Sequence, residues 1–160
     1  MSAKTLLAAA SLLCIQLLVP TDARAALSDT LGEWDGTGSA AAISGKDLGD
    51  FKVVLTRKSI GAGKVRADGR VTLASGQQIV FWQEFLETEG RGFRLVTNQG
   101  SGGGRCFANG MCQSYEERAD GHAFATTVVH DGVGKLRVLV TELDQGKATR
   151  FFQQTLSKRQ

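Results

Sequence analysis

From Phe51 onward, apolar and polar residues alternate with a period of two, the signature of strands that bury one face. Phe51, Val53 and Leu55 alternate with Lys52 and Thr56. Val71 and Leu73 follow an Asp68-Gly69 pair that reads as a turn, and Ser75-Gly76 reverses the chain into a strand over 78–87. Gly90-Arg91-Gly92 marks another turn before Phe93, Leu95 and Thr97. Strands over 112–118 and 122–129 end at Asp120-Gly121 and Asp131-Gly132. Leu136, Val138 and Val140 then alternate with Arg137 and Thr141, and Gln145-Gly146 leads into a last strand over 147–157.

Turn pairs such as Asp-Gly supply the positive φ that a tight reversal needs, and strands joined by links this short must be antiparallel neighbours. The pattern therefore predicts an all-β fold, an antiparallel up-and-down meander of about eight to ten strands that hides its edges by closing into a barrel. A two-sheet sandwich competes, but its Greek-key connections need longer crossovers. Residues 27–31 suit one helical turn with Ser28 or Asp29 as its cap. No internal repeat or linker divides the chain.

The N-terminus reads differently. Lys4 precedes an apolar run from Leu6 to Val19, Pro20 breaks it, and Ala23-Arg24-Ala25 offers small residues for a signal peptidase. About fourteen apolar residues fall short of the roughly 20 that span a bilayer. The expectation is a signal peptide over 1–25, a single domain over 26–160, and a periplasmic or secreted location. Leu12-Leu13 before Cys14 argue against lipidation, and Cys14 leaves with the signal. The one proline is Pro20, so the exported domain keeps glycine but no proline. The formal net charge of +3 is spread along the chain and gives no case for nucleic acid. No second apolar run is long enough to cross a membrane.

The domain opens with Leu31-Gly32-Glu33-Trp34-Asp35-Gly36-Thr37-Gly38. A Gly-x-Trp on the first strand after a short helical turn resembles the start of lipocalins and related calycin barrels. The Gly-x-Gly that follows resembles the small bacterial barrels of the nitrobindin-like and uncharacterised lipocalin-like families. That resemblance implies a calycin-like barrel in which Trp34 plugs one end and a basic residue of the last strand packs across it, a place that falls to Arg150. A guanidinium over an indole face contributes about 0.5–2 kcal/mol. Nitrobindin-like relatives hold haem through a late histidine, and the segment 150–156 has none, so haem is not expected and no cofactor is implied.

Other chemistries find little support. His122 and His130 sit on one strand roughly 26 Å apart at about 3.3 Å per residue, too far to chelate together, and read as surface residues at strand ends. Gln99-Gly100-Ser101-Gly102 is not a nucleophile elbow, because Gln99 replaces its first glycine. Gly61-Ala62-Gly63-Lys64 lacks the rest of a phosphate loop and reads as a hairpin turn. Glu84 and Glu87 point to opposite strand faces and cannot act as a local carboxylate pair. Enzymatic activity is unsupported and no metal site is expected.

Binding remains. Inward-facing Phe81, Gln83, Phe85, Phe93, Leu95, Phe152 and Gln154 are the candidates to hold a small hydrophobic molecule, or else simply to fill the core. The alternative function is a non-enzymatic protein-binding module of the cell envelope, an accessory protein or inhibitor that uses its loops.

Cys106 and Cys112 have a C-x5-C spacing that fits neither a redox C-x-x-C nor a zinc ribbon. In an exported protein they read as a disulfide. A three-residue loop at Ala108-Asn109-Gly110, with Gly110 left-handed, sets Cys106 opposite Cys112 with Cα atoms roughly 4.5 Å apart. A two-residue Asn-Gly turn instead puts them on opposite faces. The glycine-rich run 100–104 reads as a mobile approach to this hairpin, a lid at the barrel mouth.

Overall fold

The computed structural model describes residues 27–131 and 134–160; the expected signal peptide lies outside the described residues. A 3-10 turn over Leu27–Thr30 leads into ten strands: β1 (Gly32–Ala42), β2 (Asp47–Gly61), β3 (Lys64–Leu73), β4 (Gln78–Glu87), β5 (Gly92–Thr97), β6 (Gly100–Cys106), β7 (Met111–Arg118), β8 (His122–His130), β9 (Lys135–Asp144) and β10 (Lys147–Lys158). Each strand pairs antiparallel with the next, and β10 returns to β1, which closes the barrel. The all-β up-and-down meander read from the alternation is the fold observed. No helix among the described residues is long and apolar enough to cross a membrane.

Closure sorts the side chains into a lumen and an outer wall. The inward series continues from strand to strand: Trp34 faces Leu55, Val53 faces Val71, Val71 faces Ile79, and Val138 faces Gln154. The buried core includes Val53, Leu55, Val65, Phe85, Phe93, Leu95, Leu136 and Leu156. On the outer wall, Arg66 bridges Asp68 and Glu84 at 3.0 and 2.8 Å and lies over the Trp82 ring. Glu84 is therefore a wall residue in a surface ion pair.

Two glycine-bearing segments depart from expectation. Asp68-Gly69 is not a turn, because β3 runs straight through it. Gly69 faces the lumen, and the Phe81 ring on β4 fills the space beside it. The run 100–104 is not a mobile lid either. It forms β6, paired with β5 on one side and β7 on the other. A β-carbon at Gly100 or Gly102 would overlap the carbonyls of Glu117 or Tyr115 on β7, so glycine here permits close strand approach.

The cysteine hairpin follows the three-residue loop. Gly110 has φ +81°, the Phe107 amide donates to the Met111 carbonyl, and Cys106 faces Cys112. The two are joined by a disulfide with Cα atoms 4.0 Å apart. It lies at the end of the barrel where the chain enters, not at the opposite mouth.

That entry end is plugged. Trp34 is fully buried and donates from Nε1 to the Thr30 carbonyl at 2.9 Å, which ties the 3-10 turn beneath the barrel. The turn begins at Leu27, which places Ser28 and Asp29 within it rather than at its cap. The cation over the indole is Lys158, with Nζ 5.7 Å from the ring centroid. Arg150 does not take that place. Register sets it against Ala42 and Glu142, whereas Lys158 faces Trp34 directly. His130 meets the Trp34 ring edge-on, centroids 6.1 Å apart, so it belongs to the plug rather than to the surface.

Candidate functional site

The opposite end of the lumen is open, and the side chains there leave a cavity of about 390 Å³. Its walls are mainly apolar: Phe51 from β2, Val71 and Leu73 from β3, Ile79 from β4, Phe124 from β8, and Phe152 from β10. Gln154 adds a polar group, and Leu48 at the start of β2 with Ala74 and Ser75 from the β3–β4 connection forms the rim. The Phe51 and Phe152 rings meet edge-on with centroids 6.5 Å apart. A larger depression of about 770 Å³ spills over the same rim onto the outer wall at Thr37, Lys52 and Thr155.

Two charged clusters stand toward the same end of the barrel, outside the lining of the open cavity. Glu116, only 6% exposed, accepts hydrogen bonds from Thr97 Oγ1 at 2.8 Å and Arg118 Nε at 3.2 Å. The Arg118 guanidinium stacks 3.9 Å from the Phe124 ring centroid. On β9, the equally buried Glu142 has Arg150 Nε 3.5 Å from one oxygen and His122 Nδ1 3.1 Å from the other. His122 Nδ1 is sequestered and makes no hydrogen bond of acceptable geometry. His122 thus faces inward, contrary to its surface reading.

Below the open cavity lies a smaller enclosed one of about 50 Å³. Arg57, Gln83, Phe85, Ser114, Glu116 and Thr126 are among its walls. Arg57 as a whole is half-buried, but its Nε is shut off from solvent and has no hydrogen-bond partner. Its guanidinium lies 5.3 Å from the Phe85 ring centroid. Burial lowers its pKa below the ordinary guanidinium range to about 10, which leaves it charged at neutral pH.

The residues singled out from sequence divide between these two spaces. Phe152 and Gln154 line the open cavity. Gln83, Phe85, Phe93 and Leu95 line the enclosed one. Phe81 faces the lumen between them, against Gly69. Phe51, Phe124 and Arg57 join them, and each continues an inward series. Arg57 in particular follows Phe51, Val53 and Leu55 at the same parity, and a charged residue in that series was the available signal.

No protein-family model matches the chain, and no curated protein matches it significantly in sequence. Solved structures do resemble it. The S-type phycobiliprotein lyase CPES from Guillardia theta superposes with a TM-score of 0.68 at 11% identity, over 83% of this chain and 90% of that one. Rv2717c from M. tuberculosis gives a TM-score of 0.64 at 14% identity, over 84% and 95%. A redesigned β-barrel, mFAP1, solved bound to DFHBI, gives 0.51 at 9% identity, over 84% and 100%. At these identities the likeness concerns the fold alone, and that fold, a small closed antiparallel barrel, fits the calycin or lipocalin-like architecture.

Proposed function

We propose that the protein is an exported barrel that binds a small, mainly apolar molecule in the open half of its lumen. The observation that carries this reading is the cavity of about 390 Å³ walled by Phe51, Leu73, Phe124 and Phe152, beside a plugged opposite end. That volume lies within the range of about 300–1,000 Å³ for small-molecule pockets, and an apolar lining with few polar groups suits such a ligand. Relatives in fold support it: one is a phycobiliprotein lyase and another was solved with DFHBI bound. The disulfide supports an oxidising compartment, periplasmic or extracellular. Kinship with nitrobindin-like or lipocalin-like families remains part of this proposal. Native mass spectrometry of protein purified from its own host tests it. A small-molecule adduct is the expected result; a bare mass that co-purifies with another polypeptide contradicts it and favours a protein-binding module.

A further inference from the structure

Resting on that reading, we infer that Arg57 is an anchor for an acidic head group, so that the ligand is an apolar molecule bearing one carboxylate. The two cavities are stacked along the barrel axis. Val140 lines the open one and is paired across the β8–β9 ladder with Thr126, which lines the enclosed one. Phe124 and Thr126 stand two residues apart on the same face of β8. A molecule seated in the open cavity therefore points its inner end at the enclosed one.

The enclosed space selects what that inner end is. About 50 Å³ is too small for a ligand of its own, yet it is well above the roughly 10–15 Å³ needed to admit one water and gives room for a carboxylate. Its walls carry polar groups from Gln83, Ser114 and Thr126. It also carries the Arg57 guanidinium, whose Nε lacks a hydrogen-bond acceptor. Such a buried, unsatisfied donor on a charged group is costly, and an ionised oxygen accepting from it forms a charge-assisted hydrogen bond. The one carboxylate in this wall, Glu116, is already engaged by Thr97 and Arg118. No carboxylate among the described residues is paired with Arg57, and its shift arises from burial alone.

Isothermal titration calorimetry with decanoate and 1-decanol, probes of equal chain length, tests the anchor. The wild-type protein should bind decanoate about tenfold tighter or more, as expected of a charge-assisted hydrogen bond in a buried site. Arg57→Met should abolish that preference while decanol still binds, and Arg150→Met, outside the cavity lining, should leave it intact. Equal binding of acid and alcohol by the wild type overturns the anchor and leaves the apolar cavity standing; this comparison needs no variant. A preference that survives Arg57→Met, or is lost in Arg150→Met, overturns it likewise. Failure of both probes to bind overturns the cavity reading and the anchor with it.

Discussion

Phe81 stands directly across from Gly69 in the β3–β4 ladder, and its ring occupies the space that a β-carbon on Gly69 would need. The arrangement recurs at Phe51 opposite Gly38 and at Phe93 opposite Gly104. At each point a bare backbone lets an aromatic ring lie against the barrel wall instead of projecting across the lumen. The Phe51 pair borders the open cavity, so this device helps to keep that space clear.

Gly69→Ala should therefore destabilise the fold by about 1–3 kcal/mol, the usual cost of overpacking a core site. At Gly69 the nearest atoms to the added methyl all belong to the Phe81 ring. The penalty should shrink in a Phe81→Leu background, which a double-mutant cycle on urea unfolding midpoints measures. Equal penalties in both backgrounds would contradict the pairing.

Lys158, not Arg150, should govern the environment of Trp34. In a Trp82→Phe background, Lys158→Ala should shift the Trp34 fluorescence maximum and lower stability by about 0.5–1 kcal/mol. Arg150→Ala should leave that emission unchanged, because Arg150 pairs with Glu142 near the mouth. Trp34→Ala should cost about 3–5 kcal/mol as a large core deletion.

Mature protein should show no free thiols on denaturation without reductant. Replacing both Cys106 and Cys112 by Ala should cost about 2 kcal/mol, since the bridge closes only a short loop. Thiols that titrate fully in oxidised protein would refute the bridge.

The unliganded protein should become more stable when Arg57 is removed. Arg57→Met, which replaces a half-buried guanidinium whose Nε lacks an acceptor by an apolar chain of similar length, should raise unfolding free energy by about 1–3 kcal/mol at neutral pH. The sign follows from proton binding. With the folded pKa lowered to about 10, the unfolded chain binds more protons between that value and the free guanidinium range. Wild-type stability should thus gain a contribution that rises with pH through that window and is absent from the Met variant. A Met variant less stable than wild type at neutral pH would show that Arg57 has a partner in the empty barrel.

Much of the architecture was legible because period-two alternation and tight-turn pairs are local properties. The β4, β8 and β9 strands fall where the alternation places them. Glycine was read wrongly twice, at Asp68-Gly69 and at 100–104, because the same residue serves a turn and a crowded strand. Which of these applies depends on neighbours such as Phe81 and Tyr115 that are remote in sequence. Placing Lys158 rather than Arg150 over Trp34 requires the β1–β10 register, which no local pattern contains. The cavity escaped for a related reason. Phe85, Phe93 and Leu95 share the inward parity of Phe152 and Gln154, but only closure of the barrel shows that the first three pack the lower lumen and the last two border open space.

Chemical-shift mapping of isotope-labelled protein titrated with 1-decanol tests the central claim most directly. Saturable shifts should concentrate on Phe51, Leu73, Phe124, Val140, Phe152 and Gln154 around the open cavity, while Trp34 and Leu136 at the plugged end stay unmoved. Shifts confined to the outward-facing Val80, Leu139 and Phe151, or no saturable shifts at all, would contradict a ligand-binding lumen.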